Sequence, residues 1–175
     1  MSNVVRVSKL EAAQRQLDVA IQLMFADADA IAVHTLVGAA SLLMSDLIEH
    51  RAPSKSWDKQ AQEANNLKST EYFRIMRTSQ NFLKHARADP YGILELDPCD
   101  TESLAFWVVM NGSELSPMSI EAQVFQLWYI ASHAPLKSTE SPLREAIEVL
   151  GDLRSIPRGE RLRIGAKALT EARGL

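Results

Sequence analysis

Apolar residues recur at three- and four-residue spacing along most of this chain, and capping residues separate one run from the next. In the first run, Leu10 and Leu17 lie on the same face of a helix with 3.6 residues per turn. Ser8, with Glu11 three residues later, forms a capping box, which marks a helix start. The pattern therefore predicts a helix over residues 8–25.

The second run continues to about His50 and is apolar on nearly every side. Asp27 or Asp29 can cap it. A helix without a polar face is usually surrounded by other elements, and Gly38 would let a neighbouring helix approach closely. We therefore expect this segment to be the central helix of a bundle.

Six further helices are predicted by capping residues, by proline in the first turn and by terminal glycine or asparagine. They span residues 57–65, 69–87, 101–110, 118–132, 141–151 and 157–173. Residues 51–56 connect two of them around Pro53. Residues 91–99 are predicted to form a loop with at most one short strand pair.

Four limits of these helices depend on particular residues. Asp89-Pro90 ends the helix over 69–87, because a proline disfavours helical geometry in the residue before it. Asp100 caps the helix over 101–110, and Asn111-Gly112 ends it. Ser116-Pro117 combines a cap with a first-turn proline, so the next helix is predicted to start at Met118.

The predicted fold is all-α, an up-and-down helical bundle with additional C-terminal helices. At 175 residues, one domain is expected over residues 1–175. Its core bundle would span about 8–133, and a helical extension would span about 136–175. The run LAFWVVM at 104–110 could instead be a buried strand, but the chain offers no obvious partner strand.

Composition narrows the classes of function. The net charge of −3 argues against a dedicated duplex-binding protein, whose affinity comes mainly from Lys and Arg. Cys99 is the only cysteine, which excludes an internal disulfide and is typical of a reducing cytoplasm. The N-terminus lacks the apolar core of a signal peptide, and no run of about 18 apolar residues occurs. We therefore expect a cytoplasmic protein with no membrane contact.

The predicted helix over 69–87 has two unlike faces. The apolar one contains Tyr72, Ile75, Met76, Ser79, Leu83 and Ala86, with Phe82 at its edge. The polar one contains Arg74, Thr78, Asn81 and His85. From Arg74 to Arg87 the chain carries four cations and no carboxylate, whereas an ordinary solvated face mixes both signs.

This polar face is the one place where the sequence indicates chemistry. Asn81 and His85 are four residues apart and therefore neighbours on the helix. An imidazole beside an amide could deprotonate a ribose hydroxyl or protonate a leaving oxygen. Arg74, Arg77 and Lys84 could hold a phosphate. The alternative is that Asn81 and His85 are exposed polar residues or satisfy backbone groups of the following loop.

Other titratable residues indicate less. His34 lies on the central helix, where a hydrogen-bonded core residue and a ligand-binding residue both remain open. No two histidines have the spacing of a metal pair, and no glycine-rich phosphate loop is present, so we expect no metal and no cofactor. The tail from residue 151 to the end carries six cations and three carboxylates. It is either a solvated amphipathic helix or a contact for a polyanion.

The same residues carry a resemblance. A bundle with QNFLKHA on an inner helix resembles the HEPN superfamily of all-helical domains. The phrase SQNFLKHARADP, with VHTLVGAA upstream, is also similar to an uncharacterised bacterial family with an NF-x-KHA-x-x-DP motif. The resemblance implies a metal-independent ribonuclease, a toxin or a nucleotide-binding helper. It also implies a homodimer in which an Arg–polar–His motif from two copies forms one composite site.

Carried over by position, Asn81 matches the polar residue of that motif and His85 its histidine, while Gln80 stands where the arginine belongs. Arg77 lies one helical turn too early. We expect Gln80 to join Arg74, Arg77 and Lys84 in contacting phosphate, and its lack of charge to weaken or abolish cleavage.

Three hypotheses follow. The first is a HEPN-like RNA- or nucleotide-binding protein, either an altered ribonuclease or an inactive one. The second is a non-catalytic interaction or dimerisation module of a bacterial stress or defence system, with a protein partner. The third is a small-molecule enzyme that uses His34 and His85 in a pocket between helices.

Overall fold

Nine α-helices and no strand make up the part of the chain that the structure describes. The structure is a computed structural model and describes residues 4–87, 89–135 and 141–174. The predicted all-α bundle is therefore confirmed. The other residues of the predicted domain, 1–3, 88, 136–140 and 175, lie outside the described residues.

The first two helices begin where the caps predict. In α1 (Lys9–Phe25), the Ser8 hydroxyl accepts the Glu11 N–H, and the Glu11 carboxylate accepts the Ser8 N–H, so the capping box is complete. In α2 (Ala30–Arg51), the Asp29 carboxylate accepts two backbone N–H groups of the first turn.

A short 3-10 turn, Pro53–Lys55, leads from α2 into the rest of the chain. The remaining helices are α3 (Trp57–Ala64), α4 (Ser69–Met76), α5 (Thr78–Lys84), α6 (Pro98–Ser113), α7 (Ile120–His133), α8 (Ser141–Leu150) and α9 (Arg158–Ala172).

The core lies between α1, α2, α6, α7 and α9. Phe25 meets Trp128 edge to face, with 5.4 Å between ring centroids, and Phe125 packs beside both. Ala146 of α8 and Leu162 of α9 are buried in the same apolar cluster. The C-terminal helices therefore complete the core that the earlier helices begin.

The apolar character of α2 is explained by its central position. By length and mean hydropathy, 1.7 over an 18-residue window, α2 could cross a membrane. Half of that window is buried inside the bundle, where α1, α5 and α6 pack against it. This is the environment of the core helix of a bundle.

The predicted single helix over 69–87 is wrong. At Arg77 the backbone leaves helical geometry (φ −103°, ψ 2°), and the segment forms α4 and α5 with His85 after the last turn. The Arg77 guanidinium stacks on the Phe73 ring, 4.4 Å from its centroid. The Thr78 hydroxyl donates to the Arg74 carbonyl, which competes with the helical ladder. Ile75 and Ala86 of the predicted apolar face are consequently exposed.

Three predicted boundaries are also wrong. Helix α6 begins at Pro98 because Asp97 caps it, three residues before the predicted cap Asp100. It runs through Asn111-Gly112, because the Asn111 amide is buried in contacts with α3. Helix α7 is capped by Ser119.

Candidate functional site

The segment with the candidate site residues is held to the bundle at two points. The first is a buried polar network. The Tyr72 hydroxyl donates to one oxygen of Asp58 at 2.8 Å, and the Asn111 amide donates to the other at 2.9 Å. Asn111 in turn accepts the Trp57 backbone N–H at 3.0 Å. This network fixes α4 against α3 and α6, and its polar groups are satisfied internally.

The second point of attachment is Gln80, whose side chain is only 1% exposed. It lies against Gly38 of α2 so closely that a Cβ on Gly38 would stand 2.5 Å from the Gln80 Cδ. Neither its amide nitrogen nor its amide oxygen has a hydrogen-bond partner among the described residues. In this arrangement the Gln80 side chain packs α5 against α2, and its buried amide is not presented to a phosphate.

We expect Gln80→Met to raise the free energy of unfolding by about 1 kcal/mol, because burying an unpaired amide costs about 1–3 kcal/mol. Methionine has a similar shape and no amide to desolvate. Urea titration of both proteins measures the difference. Gln60→Met, at an exposed position of α3, is the matched control and should change stability little. A loss of stability in Gln80→Met would show that the amide has a partner.

The predicted catalytic pair lies on the surface. Asn81 and His85 are both exposed, one turn apart, and the His85 N–H donates to the Asn81 carbonyl at 3.1 Å. Within the described residues neither side chain makes a hydrogen bond. The two groups are therefore close along the helix but have no third group that orients them for proton transfer.

The predicted phosphate-binding cations separate into two groups. Arg77 is engaged, since it stacks on Phe73 and lies 3.9 Å from a carboxylate oxygen of Asp46. Arg74 and Lys84 are exposed, as is Arg87, and within the described ranges no carboxylate pairs with these three. The break at Arg77 places Arg74 on a different helix from Lys84.

The cations of the C-terminal tail behave differently. Arg154 pairs with Asp152, Arg158 with Glu102 and Asp27, Lys167 with Glu171, and Arg173 with Glu121. Most of the positive charge in the tail is thus neutralised within the fold. This arrangement favours the amphipathic-helix interpretation of the tail over a contact for a polyanion.

Aromatic side chains occur in the same segment as the exposed cations Lys84 and Arg87. Asp89, Pro90, Tyr91 and Gly92 form a turn in which the Gly92 N–H donates to the Asp89 carbonyl at 3.3 Å. Proline in the second position suits such a turn. A Cβ on Gly92 would stand 2.9 Å from the Phe82 ring, so the turn folds back onto α5. At the turn, Tyr91 is 94% exposed.

His34 is a core residue. It is buried, and its Nδ1 lies 2.8 Å from the Thr101 hydroxyl of α6. Burial lowers the pKa of His34, and the charge of Asp100 opposes that shift. His34 is thus buried inside the bundle, whereas His85 is exposed on its surface.

This burial gives the stability of the protein a pH dependence. Because the folded pKa of His34 is below its unfolded value of about 6.5, the unfolded chain takes up the proton first. The contribution of His34 to stability is therefore fully present above pH 6.5 and is lost as the pH falls. We expect the free energy of unfolding to fall less between pH 7.5 and 5.0 in His34→Asn than in the native protein, as measured by urea titrations across that range. Parallel profiles for the two proteins would contradict this.

The densest charged cluster was missed by sequence reasoning. Glu102 of α6 is fully buried; one carboxylate oxygen lies 2.6 Å from Nε of Arg158 and the other 3.0 Å from Nε2 of His133. Arg158 also reaches Asp27 at 3.3 Å, beside a cavity of about 180 Å³. A glutamate on the apolar helix α6 was the available signal. Every charge in this cluster is paired within the fold, so the arrangement is structural.

Comparisons with protein-family models, with curated proteins and with solved structures find no match to this chain. The resemblance to HEPN-like domains therefore stays a prediction. Function has to be inferred from the residues themselves.

Proposed function

We propose that this protein binds single-stranded RNA, without cleaving it, through the exposed side chains of α5 and the turn that follows. The observation that carries the proposal is a run of four cations without a carboxylate, from Arg74 to Arg87. Three of those cations are exposed and have no acidic partner within the described ranges. In the C-terminal tail from residue 151, by contrast, four of the six cations pair with a carboxylate.

Surface charge and aromatic exposure together favour a single strand over a duplex. A protein with a net charge of −3 repels a polyanion over most of its surface, so attraction is confined to a local cationic region. Binding of single strands combines such cations with aromatic rings on which unpaired bases stack. Lys84, His85 and Arg87 supply the polar part, and Phe82 and Tyr91 supply the rings.

The geometry favours binding over catalysis. Gln80, at the position of the family's arginine, is buried against Gly38. Asn81 and His85 are exposed, and within the described residues neither side chain makes a hydrogen bond that would orient it. Transition-state stabilisation needs preorganised charge in a site that excludes water. We therefore expect no cleavage of the bound RNA. Robust cleavage that survives a chelator and is abolished by His85→Ala would overturn this part.

The first test is a salt series on Lys84→Gln/Arg87→Gln, with fluorescence anisotropy of a labelled unstructured RNA as the readout. Removing two phosphate contacts should weaken binding roughly tenfold and lower the slope of log K against log salt by up to about 1.4. Lys9→Gln/Arg144→Gln removes the same charge from exposed positions on other helices and is the matched control. Equal RNA affinity and an equal salt slope for the two double variants would contradict the proposal.

Tyr91→Ala separates stacking from charge. Loss of one stacked base should weaken RNA binding by roughly five- to a hundredfold, since such contacts contribute about 1–3 kcal/mol. The salt slope should stay unchanged, because no charge is removed. An unchanged affinity in Tyr91→Ala, together with a normal effect of the charge variants, would restrict the proposal to electrostatic binding.

A second candidate function is favoured by one further observation. Ile75, Tyr91 and Ile93 are exposed apolar side chains on the same segment, and such groups mark protein-binding surfaces. In a non-catalytic interaction module, Ile93→Ser would abolish capture of a protein partner, and RNA affinity would be negligible at every salt concentration. RNA binding with the expected salt slope would decide for the first candidate.

A further inference from the structure

A second feature lies on a different part of the bundle. Helices α7, α8 and α9 enclose an open groove of about 610 Å³. Its walls are mainly apolar and include Ile120, Val124, Leu127, Leu150 and Ile164. The groove shares no lining residue with α4 or α5.

The groove has an unburied side chain beside it. Val149 of α8 lines one edge and is 64% exposed, and Ile120 at the start of α7 is also exposed. The exposed side chain can insert into an apolar groove, and the groove beside it can accept such a side chain. Such a surface can be complementary to a second copy of itself.

Charged side chains at the edge of the groove, called its rim below, are also complementary to a second copy of the chain. Lys167 and Glu171 are one turn apart on α9, 3.7 Å from each other, and their side chains are 78% and 66% exposed. When two α9 helices run antiparallel about a two-fold axis that passes beside position 169, each Lys167 faces the Glu171 of the other copy. Ala168 and Ala172 lie on the same wall of the groove, and their small side chains allow the helix axes to come close.

We propose that the groove is a homodimer interface, in which α9 of one copy packs antiparallel on α9 of another. In this dimer Val149 of each copy enters the groove of the other, and two Lys167–Glu171 pairs close the rim. The interface leaves α5 and Tyr91 uncovered, since α5 packs on α2. The proposal does not depend on RNA binding.

The test reverses the charges at the rim of the groove. Light scattering after size exclusion, at about 100 µM protein, measures the mass of the particle in solution. The native chain should have about twice the chain mass of 19.5 kDa. Lys167→Glu places two repulsive pairs in the dimer and should weaken it about tenfold or more. Glu171→Lys should do the same. An equimolar mixture of the two variants should dimerise again, because both rim pairs are then attractive.

Two further variants keep the outcome clear. Val149→Asp should give a monomer with an unchanged circular dichroism spectrum, and Lys59→Glu on α3 should leave the dimer intact. A monomeric native chain would overturn the proposal and leave the groove to a small apolar ligand or another protein. Dimers that persist in Lys167→Glu, Glu171→Lys and Val149→Asp would overturn it too, since the contact would then lie on another face, such as that of α5.

Discussion

Replacing Glu102 by alanine is expected to lower the free energy of unfolding by about 3 kcal/mol, because the substitution leaves the half-buried Arg158 without its counter-charge and the half-buried His133 without its hydrogen-bond partner. Glu102 is fully buried, and its two carboxylate oxygens bond to Arg158 and His133. Removing one partner of such a pair typically costs about 3–5 kcal/mol. The lower value applies because the Arg158 side chain is 32% exposed and water can solvate part of its charge.

The effect should be visible as a fall in melting temperature of roughly 6–12 °C for a chain of this size. Thermal unfolding followed by circular dichroism measures it. Glu148→Ala is the matched control, since Glu148 is an exposed glutamate on α8. Its expected effect is within about 0.5 kcal/mol. If the two variants melted together, the Glu102 cluster would contribute nothing to the docking of α9.

The second large effect concerns the contact between α1 and α9. A Cβ on Gly165 would stand 2.7 Å from Cδ1 and 2.8 Å from Cζ of the Phe25 ring. That ring is buried against Phe125 and Trp128 and cannot move away without disturbing them. We expect Gly165→Ala to cost about 2 kcal/mol, since the overpacking exceeds the helix propensity that alanine adds.

The same substitution elsewhere on α9 should have the opposite sign. A Cβ on Gly159 would meet no atom within 4 Å, so Gly159→Ala should stabilise the protein by up to about 1 kcal/mol. Urea titration compares the two variants. In a Phe25→Leu background, the cost of Gly165→Ala should shrink, because leucine leaves room for the methyl group. Equal effects of Gly165→Ala and Gly159→Ala would show that α9 is not held against Phe25.

Gln80 links the fold to the candidate site. Gln80 was expected to contact phosphate, because it stands where the resembled motif has its arginine, one position before Asn81. The structure instead buries it on Gly38. The residue spacing predicts one continuous helix through α4 and α5. The break at Arg77 changes which side chains of α5 face α2.

The cationic segment shows what sequence can and cannot tell about a site. The absence of carboxylates from Arg74 to Arg87 is visible in the sequence. Whether each cation is neutralised depends on residues far away in the chain. Arg77 approaches Asp46, and in the tail Arg158 reaches Glu102, 56 positions earlier. Only the folded arrangement distinguishes the paired cations from Lys84 and Arg87.

The sequence by itself determined the all-α class, the burial of α2 and the starts of α1 and α9, and it limited the cap of α2 to Asp27 or Asp29. These features depend on groups within a few residues of one another: 3.6-residue periodicity, the Ser8–Glu11 capping box, the cap at Asp29 and the position of Pro157. Contacts at such short range form in the same way wherever the helix lies in the fold.

Only the tertiary structure decided the features that override a local signal. Asn111-Gly112 would end a helix by its local preference, but the Asn111 amide bonds to Asp58 and Trp57, and Gly112 admits the Met44 side chain. The free energy of those buried contacts exceeds a local preference of about 1 kcal/mol. Their partners lie more than fifty residues away, so no pattern along the chain contains them.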